Sequence, residues 1–351
     1  MPCAEMRAKV KKLLNTLYVT SEEVYLGLDG ENVIVKRDDE IAMRLPIHNL
    51  EAIVAFNYVG ASPALIRKCT QSNVSLSFFQ GDNYCGRFVG QENGNVLLRK
   101  KQYRLSDVPE ECLAISRNMI LGKIYNERYV LNRAIRDHAM QMDTERVEHA
   151  SELLQNMIEA VRECNDMEQL RGFEGEAATC YFRVFDELVL QNKGDFHFAG
   201  RNRRPPLDRV NALLSFAYSL LANECAGAAY SVGLDPYVGF MHRDRPGRKS
   251  LALDLMEELR SPVADRFALT LINKRQIDAK DFEVMENGAV IMKDDARKKF
   301  IQAWQETKRE QIMHPFLKEK IAVGLLPYVQ AMLLARYLRG DLNAYPPYFK
   351  R

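Results

Sequence analysis

Glu174 is a carboxylate at a position where a helix should be apolar. The stretch from Met167 to Leu190 has helical spacing, with Asn165 as its expected N-cap and Glu168 three residues on. Leu170, Phe173, Ala177, Tyr181, Val184 and Leu188 recur every three or four residues, and Glu174 falls on the same stripe. Glu176, Arg183 and Glu187 fall on the other side. An unpaired buried carboxylate costs on the order of several kcal/mol. Glu174 therefore has a buried cation as its partner, or it lines a cleft and holds a metal.

A second constellation lies downstream. His242 follows the apolar run Tyr237–Met241, and a Gly- and Arg-rich loop separates it from a helix over Leu251–Arg260. On that helix Asp254 and Glu257 are three apart and Glu258 is four from Asp254, a spacing that places the carboxylates on one side. Ala252, Leu255, Met256 and Leu259 take the other side. Glu174, His242 and the Asp254/Glu257 pair form a hard-oxygen set with one imidazole. Such a set suits Mg²⁺ or Mn²⁺ acting on phosphate better than a structural zinc. By spacing alone the plainer readings stay open: Glu174 paired with a buried Arg, His242 structural, the carboxylates solvated.

Basic residues cluster in three places: Arg99, Lys100, Lys101 and Arg104; Arg201, Arg203, Arg204 and Arg209; and Arg243, Arg245, Arg248 and Lys249. The third group adjoins His242 and suits a polyanionic backbone approaching a metal. Total charge says nothing of the kind, since 49 basic and 47 acidic side chains leave a net charge of +2.

The elements that must position these groups change character along the chain. From about Leu14 to Arg104 short β-branched and aromatic runs (LYVT, EVYLGL, NVIVKR, EIAMRLP, EAIVAF, VSLSFF, GRFVG) read as strands, with one helix over Ser62–Gln71. From Val108 onward the period is helical: Pro109 to His138, Thr144–Cys164, Met167–Leu190, Asp208–Ala226, Leu251–Arg260 and Pro262–Ile272. A hairpin turns at Asn287-Gly288. Helices resume at Ala296 and end near Arg339 with Gly340 as C′ residue and a kink at Pro327. The expected architecture is α+β: a β-sandwich-like domain over 1–106, then a larger, mostly α-helical domain over 107–351.

The seven cysteines (Cys3, Cys69, Cys85, Cys112, Cys164, Cys180, Cys225) are odd in number and contain no CxxC pair. That argues against a disulfide framework or a zinc knuckle. The N-terminus is short of apolar residues, and the longest apolar run, Val210 to Leu234, carries Asn211, Asn223 and Glu224. It reads as a buried core helix, not a membrane span. The expected setting is cytoplasmic.

Four blocks then occur in an order that resembles the CRISPR spacer-acquisition integrases, the universal adaptation endonucleases. They are LRGFEGEAATCYF (Leu170–Phe182), GRNRRPPLDRVNALLSFAYSLL (Gly200–Leu221), GLDPYVGFMH (Gly233–His242) and LALDLMEELR (Leu251–Arg260). The resemblance runs from Leu13 onward, and the Asn-Arg-Arg-Pro-Pro block and closing Ala-Tyr-Pro-Pro-Tyr-Phe are most similar to the branch of type I systems. It implies that Glu174, His242 and Glu257 bind Mg²⁺ or Mn²⁺, with Asp254 completing the acidic shell. It implies an enzyme that inserts short DNA fragments beside the leader of a CRISPR array, by attack of a 3′-hydroxyl on a phosphodiester. No protein nucleophile is needed, and no Ser/His/Asp or Cys/His arrangement is seen. Arg203, Arg204, Arg243, Arg245, Arg248 and Lys249 are the expected DNA contacts. The implied partners are double-stranded DNA with 3′ ends, leader-repeat DNA, a second copy through the β-rich domain, and a small ferredoxin-like protein. A non-catalytic DNA-binding scaffold and a hydrolytic nuclease using the same residues are the alternatives. The extension MPCAEMRAKVK has no recognisable counterpart.

Overall fold

The computed structural model describes residues 16–19, 24–37, 40–50, 52–56, 60–80, 83–88 and 96–351. The N-terminal extension, Cys3 and the last two residues of the GRFVG run lie outside them. The chain forms two units, Met1–Gly94 and Asn95–Arg351.

The first unit holds two four-stranded sheets. One runs in the order β1 (Thr16–Val19), β5 (Ala52–Phe56), β7 (Ser75–Gln80), β8 (Asn83–Phe88), with parallel pairs β1·β5 and β5·β7 and an antiparallel edge. The other runs β4 (Glu40–Pro46), β3 (Asn32–Arg37), β2 (Val24–Asp29), β6 (Gly60–Ala61). Here β2 and β3 form a hairpin whose last pair is Asp29 with Asn32. Alternation along the strands sends Leu26, Val33, Val35, Ile53, Ala55 and Leu76 into a single core. Helix α1 (Pro63–Gln71) closes that core with Leu65 and Cys69, its first turn capped by the Ser62 hydroxyl. Parallel pairs require crossovers, and α1 supplies the one that leads into β7.

The second unit begins with a helix where strands were expected to continue. Helix α2 (Val96–Ser106) carries Arg99, Lys100, Lys101 and Arg104, and its inward residues are Leu98 and Gln102. The fully buried Gln102 amide donates to the carbonyls of Asp235 and Val238 (both 2.8 Å) and accepts from the Asp235 amide (2.9 Å). Those bonds tie α2 to the helical unit, in keeping with a division of the chain between Gly94 and Asn95.

Helix α3 (Pro109–His138) starts with Pro at its first turn and Glu110 and Glu111 beside the N-terminus, both favourable there. Helix α4 (Thr144–Glu163) is capped by Asp143. Helix α5 (Met167–Arg183) is capped by Asp166, which accepts from the Gln169 amide at 2.7 Å; the expected cap, Asn165, lies one residue too early. This helix stops at Arg183, and Phe185–Leu188 form a separate 3₁₀ turn. Helix α6 (Arg209–Ser231), capped by Asp208, is the expected buried core helix. Helix α7 (Ser250–Leu259) passes through a π-helical stretch, Arg260–Asp265, directly into α8 (Arg266–Asn273). Pro262 therefore sits inside a widened turn rather than opening a new helix.

The Asn287-Gly288 hairpin forms between β9 (Phe282–Val284) and β10 (Val290–Met292). Helix α9 (Asp294–Arg309) is followed by a hairpin the sequence did not reveal, β11 (Gln311–His314) with β12 (Glu319–Ala322). Helix α10 (Leu326–Arg339) ends at Gly340, which has a φ of +88°. Pro327 lies in the first turn of α10 and produces no kink, because no carbonyl one turn earlier awaits its missing N–H. Among the described residues no helix is long and apolar enough to cross a membrane.

Truncating Gln102 strands three backbone groups at once, two at Asp235 and one at Val238. Gln102→Ala is expected to cost about 2–4 kcal/mol in a urea titration. A cost below about 0.5 kcal/mol would remove α2 from the helical unit.

Candidate metal centre

The site is built on three helices of the second unit and one loop. On α3, Met119, Ile120, Ile124 and Leu131 mark the buried row, and Lys123 and Glu127 lie on it, each 3% exposed. Glu174 reaches in from the middle of α5, and Glu257 from the last turn of α7. The Lys123 ammonium joins them, hydrogen-bonding Glu174 Oε1 and standing 2.8 Å from Glu257 Oε2. The buried cation that Glu174 demanded is thus Lys123, and it belongs to Glu257 as well.

Arg260, in the π-helical stretch, grips Glu257 from the other side. Its Nη1 donates to both carboxylate oxygens, at 2.9 and 3.1 Å. The guanidinium lies over the Tyr218 ring, 4.4 Å from its centroid, and the Tyr218 hydroxyl donates to Asp265. Burial opposes charge on Glu257, yet Arg260, Lys123 and His242 hold its carboxyl well below the usual range. Burial likewise pulls Lys123 down, but Glu257 and Glu174 outweigh it and raise the ammonium above its ordinary value. At Asp265 burial prevails: against the Tyr218 hydrogen bond and the charges of Arg260 and Arg201 it pushes the carboxyl up to about 6.

Asp254 is committed to His242 and the loop before it. It is fully buried; Oδ2 accepts the backbone N–H groups of Phe240 and Met241 (2.7 and 3.1 Å), and Oδ1 accepts those of His242 (3.0 Å). Oδ1 also lies 2.6 Å from His242 Nδ1. A carboxylate only accepts, so Nδ1 carries the hydrogen, and in the neutral ring Nε2 keeps its lone pair. Asp254 therefore orients the imidazole and leaves no oxygen to spare for an ion. Gly239 makes the wrap possible, since a Cβ there would stand 2.8 Å from Asp254 Oδ2 and from Ser250 Cβ. Burial lowers His242, while the Asp254 hydrogen bond and the charges of Asp254 and Glu257 raise it above its ordinary value.

Glu258, expected beside Asp254 and Glu257, instead faces the C-terminal segment. Its oxygens accept from the Tyr345 hydroxyl, from Gln330 Nε2 (2.9 Å) and from the Tyr348 amide (2.6 Å). Burial pushes it up to about 7. Asn126 donates to the Glu258 and Tyr348 carbonyls (2.7 Å each), so the tail, α3 and α7 are stitched at one point. Gly122 permits that approach, because a Cβ there would meet Glu258 and Pro347 at 3.0–3.1 Å. All the carboxylates of α7 are buried, contrary to a solvated face, because the helix is covered on every side.

The donor chemistry fits a hard divalent ion: two carboxylates converge on one cation, and an imidazole within electrostatic reach of Glu257 is held through Nδ1, so that its neutral form offers Nε2. Among the described residues no group of three or more His, Cys, Asp or Glu is close enough to hold a metal. The ammonium of Lys123 is what spans the distance between Glu174 and Glu257. Of the proposed DNA contacts, Arg203, Arg204, Arg243 and Arg245 are exposed and Arg248 and Lys249 are half-buried. Arg243 pairs with Glu168 at 2.8 Å and Lys249 donates to Asn223 at 2.9 Å. Arg201 and Arg209 serve the loop itself, bonding Asn202, Asn211 and Asp195. Sequence reasoning passed over Lys123 and Arg260. The criterion that singled out Glu174, a charge on an apolar row, finds Lys123 on α3 equally well.

A family model described as "CRISPR associated protein Cas1" matches residues 17–306. A protein of Chlorobaculum tepidum named CRISPR-associated endonuclease Cas1 1 is 49% identical over 346 residues, spanning 97% of this chain and 100% of that one. Among solved structures, a casposase bound to integration product superposes with a TM-score of 0.81 at 22% identity, covering 96% of this chain and 95% of the other. A chain of a Cas6-RT-Cas1–Cas2 complex gives 0.79 at 22% identity, covering 96% of this chain and 36% of that one. At those identities the structural likenesses show the fold.

His314 reports on the packing that holds α7. It is fully buried, its Nδ1 accepts the Leu317 amide, and its Nε2 meets Gln330 Oε1 at 3.1 Å. Burial lowers its pKa to about 4. As pH falls from about 6.5, the unfolded chain takes up a proton the folded one refuses, so stability is present above 6.5 and lost toward 4. The loss at pH 4.5 is on the order of 2–3 kcal/mol relative to His314→Asn, read from urea titrations at pH 7 and 4.5. Parallel pH profiles for the two proteins would contradict this account.

Proposed function

The chain belongs to the CRISPR-associated Cas1 family, and from that premise we propose that it inserts short DNA fragments into a CRISPR array. It is an enzyme of the endonuclease/integrase kind. The reaction is attack of the fragment's 3′-hydroxyl on a backbone phosphodiester at a repeat boundary. Glu174, Glu257 and His242, through Nε2, would hold a Mg²⁺ or Mn²⁺ ion. When bound, such an ion lowers the pKa of the attacking hydroxyl and polarises the phosphoryl oxygen. Asp254 fixes the tautomer and direction of His242, and Arg260 fixes Glu257. The arginines at 203, 204, 243, 245 and 248, with Lys249, receive the phosphate backbone, which needs charge without sequence reading.

The observation that carries this reading is the meeting of Glu174 and Glu257 on one cation, from helices more than eighty positions apart in sequence. A structural ion pair needs only one carboxylate per ammonium. Two, with an oriented imidazole within electrostatic reach of Glu257, supply the donor types that a hard divalent ion takes. The assembly pairs two copies through the β-rich unit and joins them to a small ferredoxin-like protein. Its DNA partners are a duplex with 3′ ends and the leader-repeat junction.

Strand transfer is assayed with a short duplex and a supercoiled plasmid bearing leader and repeat, in Mg²⁺ or Mn²⁺. Glu174→Gln is expected to abolish the branched product while the protein still binds duplex in a gel shift. Asp254→Asn should weaken Mn²⁺ binding about 10–100-fold, the usual effect of losing a partner behind a ligating His. Undiminished integration by Glu174→Gln would refute the assignment, and nicked plasmid without branched product would favour the hydrolytic alternative.

A further inference from the structure

Glu127 is the buried charge that the site as described does not use. It lies on α3 four residues after Lys123, is 3% exposed, and its Oε2 has no hydrogen-bond partner. Residues four apart on a helix have Cβ atoms about 5–6 Å apart. The tilt of side chains toward the N-terminus brings the Glu127 carboxyl over the turn that carries Lys123. Charged or titratable groups from three other directions face it: Asp265 and Arg260 of the π-helical stretch, Glu257 of α7, and Cys180 and Tyr181 of α5. Burial raises its pKa to about 8, against the pull of Lys123 and Arg260, so near neutrality the group carries a proton. A buried acceptor with an unused oxygen thus stands one helical turn from an ammonium already shared by two other carboxylates.

Resting on the metal reading above, we propose that Lys123 is a two-position counter-ion: it bridges Glu174 and Glu257, and moves onto Glu127 when a divalent ion takes those two carboxylates. Three features support this. The lysine stem is long and unbranched, so its head can cross one helical turn while its Cα stays fixed. The displaced ammonium remains buried, and Glu127 is the acceptor within reach that has an unused oxygen. Finally, the loaded site is matched charge for charge, the divalent ion by Glu174 and Glu257 and the ammonium by an ionised Glu127. The Glu127 O–H bond breaks, its proton passes to solvent, and Lys123 keeps its three protons throughout. Loading with metal is thereby coupled to proton release from a residue that need not touch the ion.

Calorimetric titration of the full chain with Mn²⁺ alone, at pH 7 in buffers of differing ionisation heat, counts the protons released per ion. Glu127→Gln is expected to release about one fewer than the unaltered protein, and the gap should close near pH 9, where Glu127 is already ionised. Lys123→Met should show the same deficit, because no ammonium then arrives to expel the proton, and should bind Mn²⁺ more tightly for want of a competitor. Protons shed by His242 are common to all three proteins and cancel. Thermal melts without ion confirm folding; if Lys123→Met does not fold, the Glu127→Gln count decides alone. An unchanged proton count in Glu127→Gln overturns the switch while leaving the metal site standing. No Mn²⁺ binding by the unaltered protein removes the site and the switch together.

Discussion

Two cations, Lys123 and Arg260, are held beneath the surface against one carboxylate, Glu257, and the organisation of the helical unit follows from accommodating them. A buried ion costs several kcal/mol unless its charge and its hydrogen-bonding groups are all matched. Lys123 is matched by two carboxylates from two helices; Arg260 by a bidentate carboxylate and an aromatic face. Neither match exists in any single element. Removing one partner leaves another charge exposed to the low-dielectric interior, so α3, α5, α7 and the π-helical stretch are bound to one another by more than apolar contact.

The packing around this knot is correspondingly close. Glycines at 122 and 239 allow backbone to come close to Glu258 and Asp254, where a Cβ would stand 3.0 and 2.8 Å away. The widened turn at Arg260–Asp265 lets the chain pass Pro262 without breaking, and so lets Arg260 look back at Glu257 while Asp265 looks toward Tyr218. At the other end of α7, the tail residues Tyr345 and Tyr348 clamp Glu258. Adjacent glutamates on one helix thus have unrelated duties: Glu257 faces the candidate ion, and Glu258 anchors the C-terminal segment.

Asp254 shows how a site can look richer in ligands than it is. Its four hydrogen bonds exhaust a carboxylate that sequence spacing placed beside Glu257. What it contributes is direction, since a histidine with its Nδ1 proton committed offers Nε2 along one line. The same logic divides the basic loops. Arg201 and Arg209 are spent on holding the loop's shape, whereas Arg203, Arg204 and Arg245 stay exposed near it and near His242.

The amino-acid sequence by itself determined the change from strand to helix periodicity, most helix spans, the Asn287-Gly288 hairpin, and the anomaly of Glu174 on an apolar row. These are local matters, set by spacing, caps and turn residues within a dozen positions. Ordered blocks of residues also sufficed to indicate the family. Helix α2 escaped because its inward face is only Leu98 and a glutamine, whose partners lie more than 130 positions away. The β11–β12 hairpin escaped because it lacks a Gly-containing turn. Tertiary structure alone decided that Glu174 and Glu257 share Lys123, that Asp254 serves His242, and that Glu258 turns away. Each of these depends on which buried charge meets which, and a pairing across distant segments leaves no periodic trace in either one.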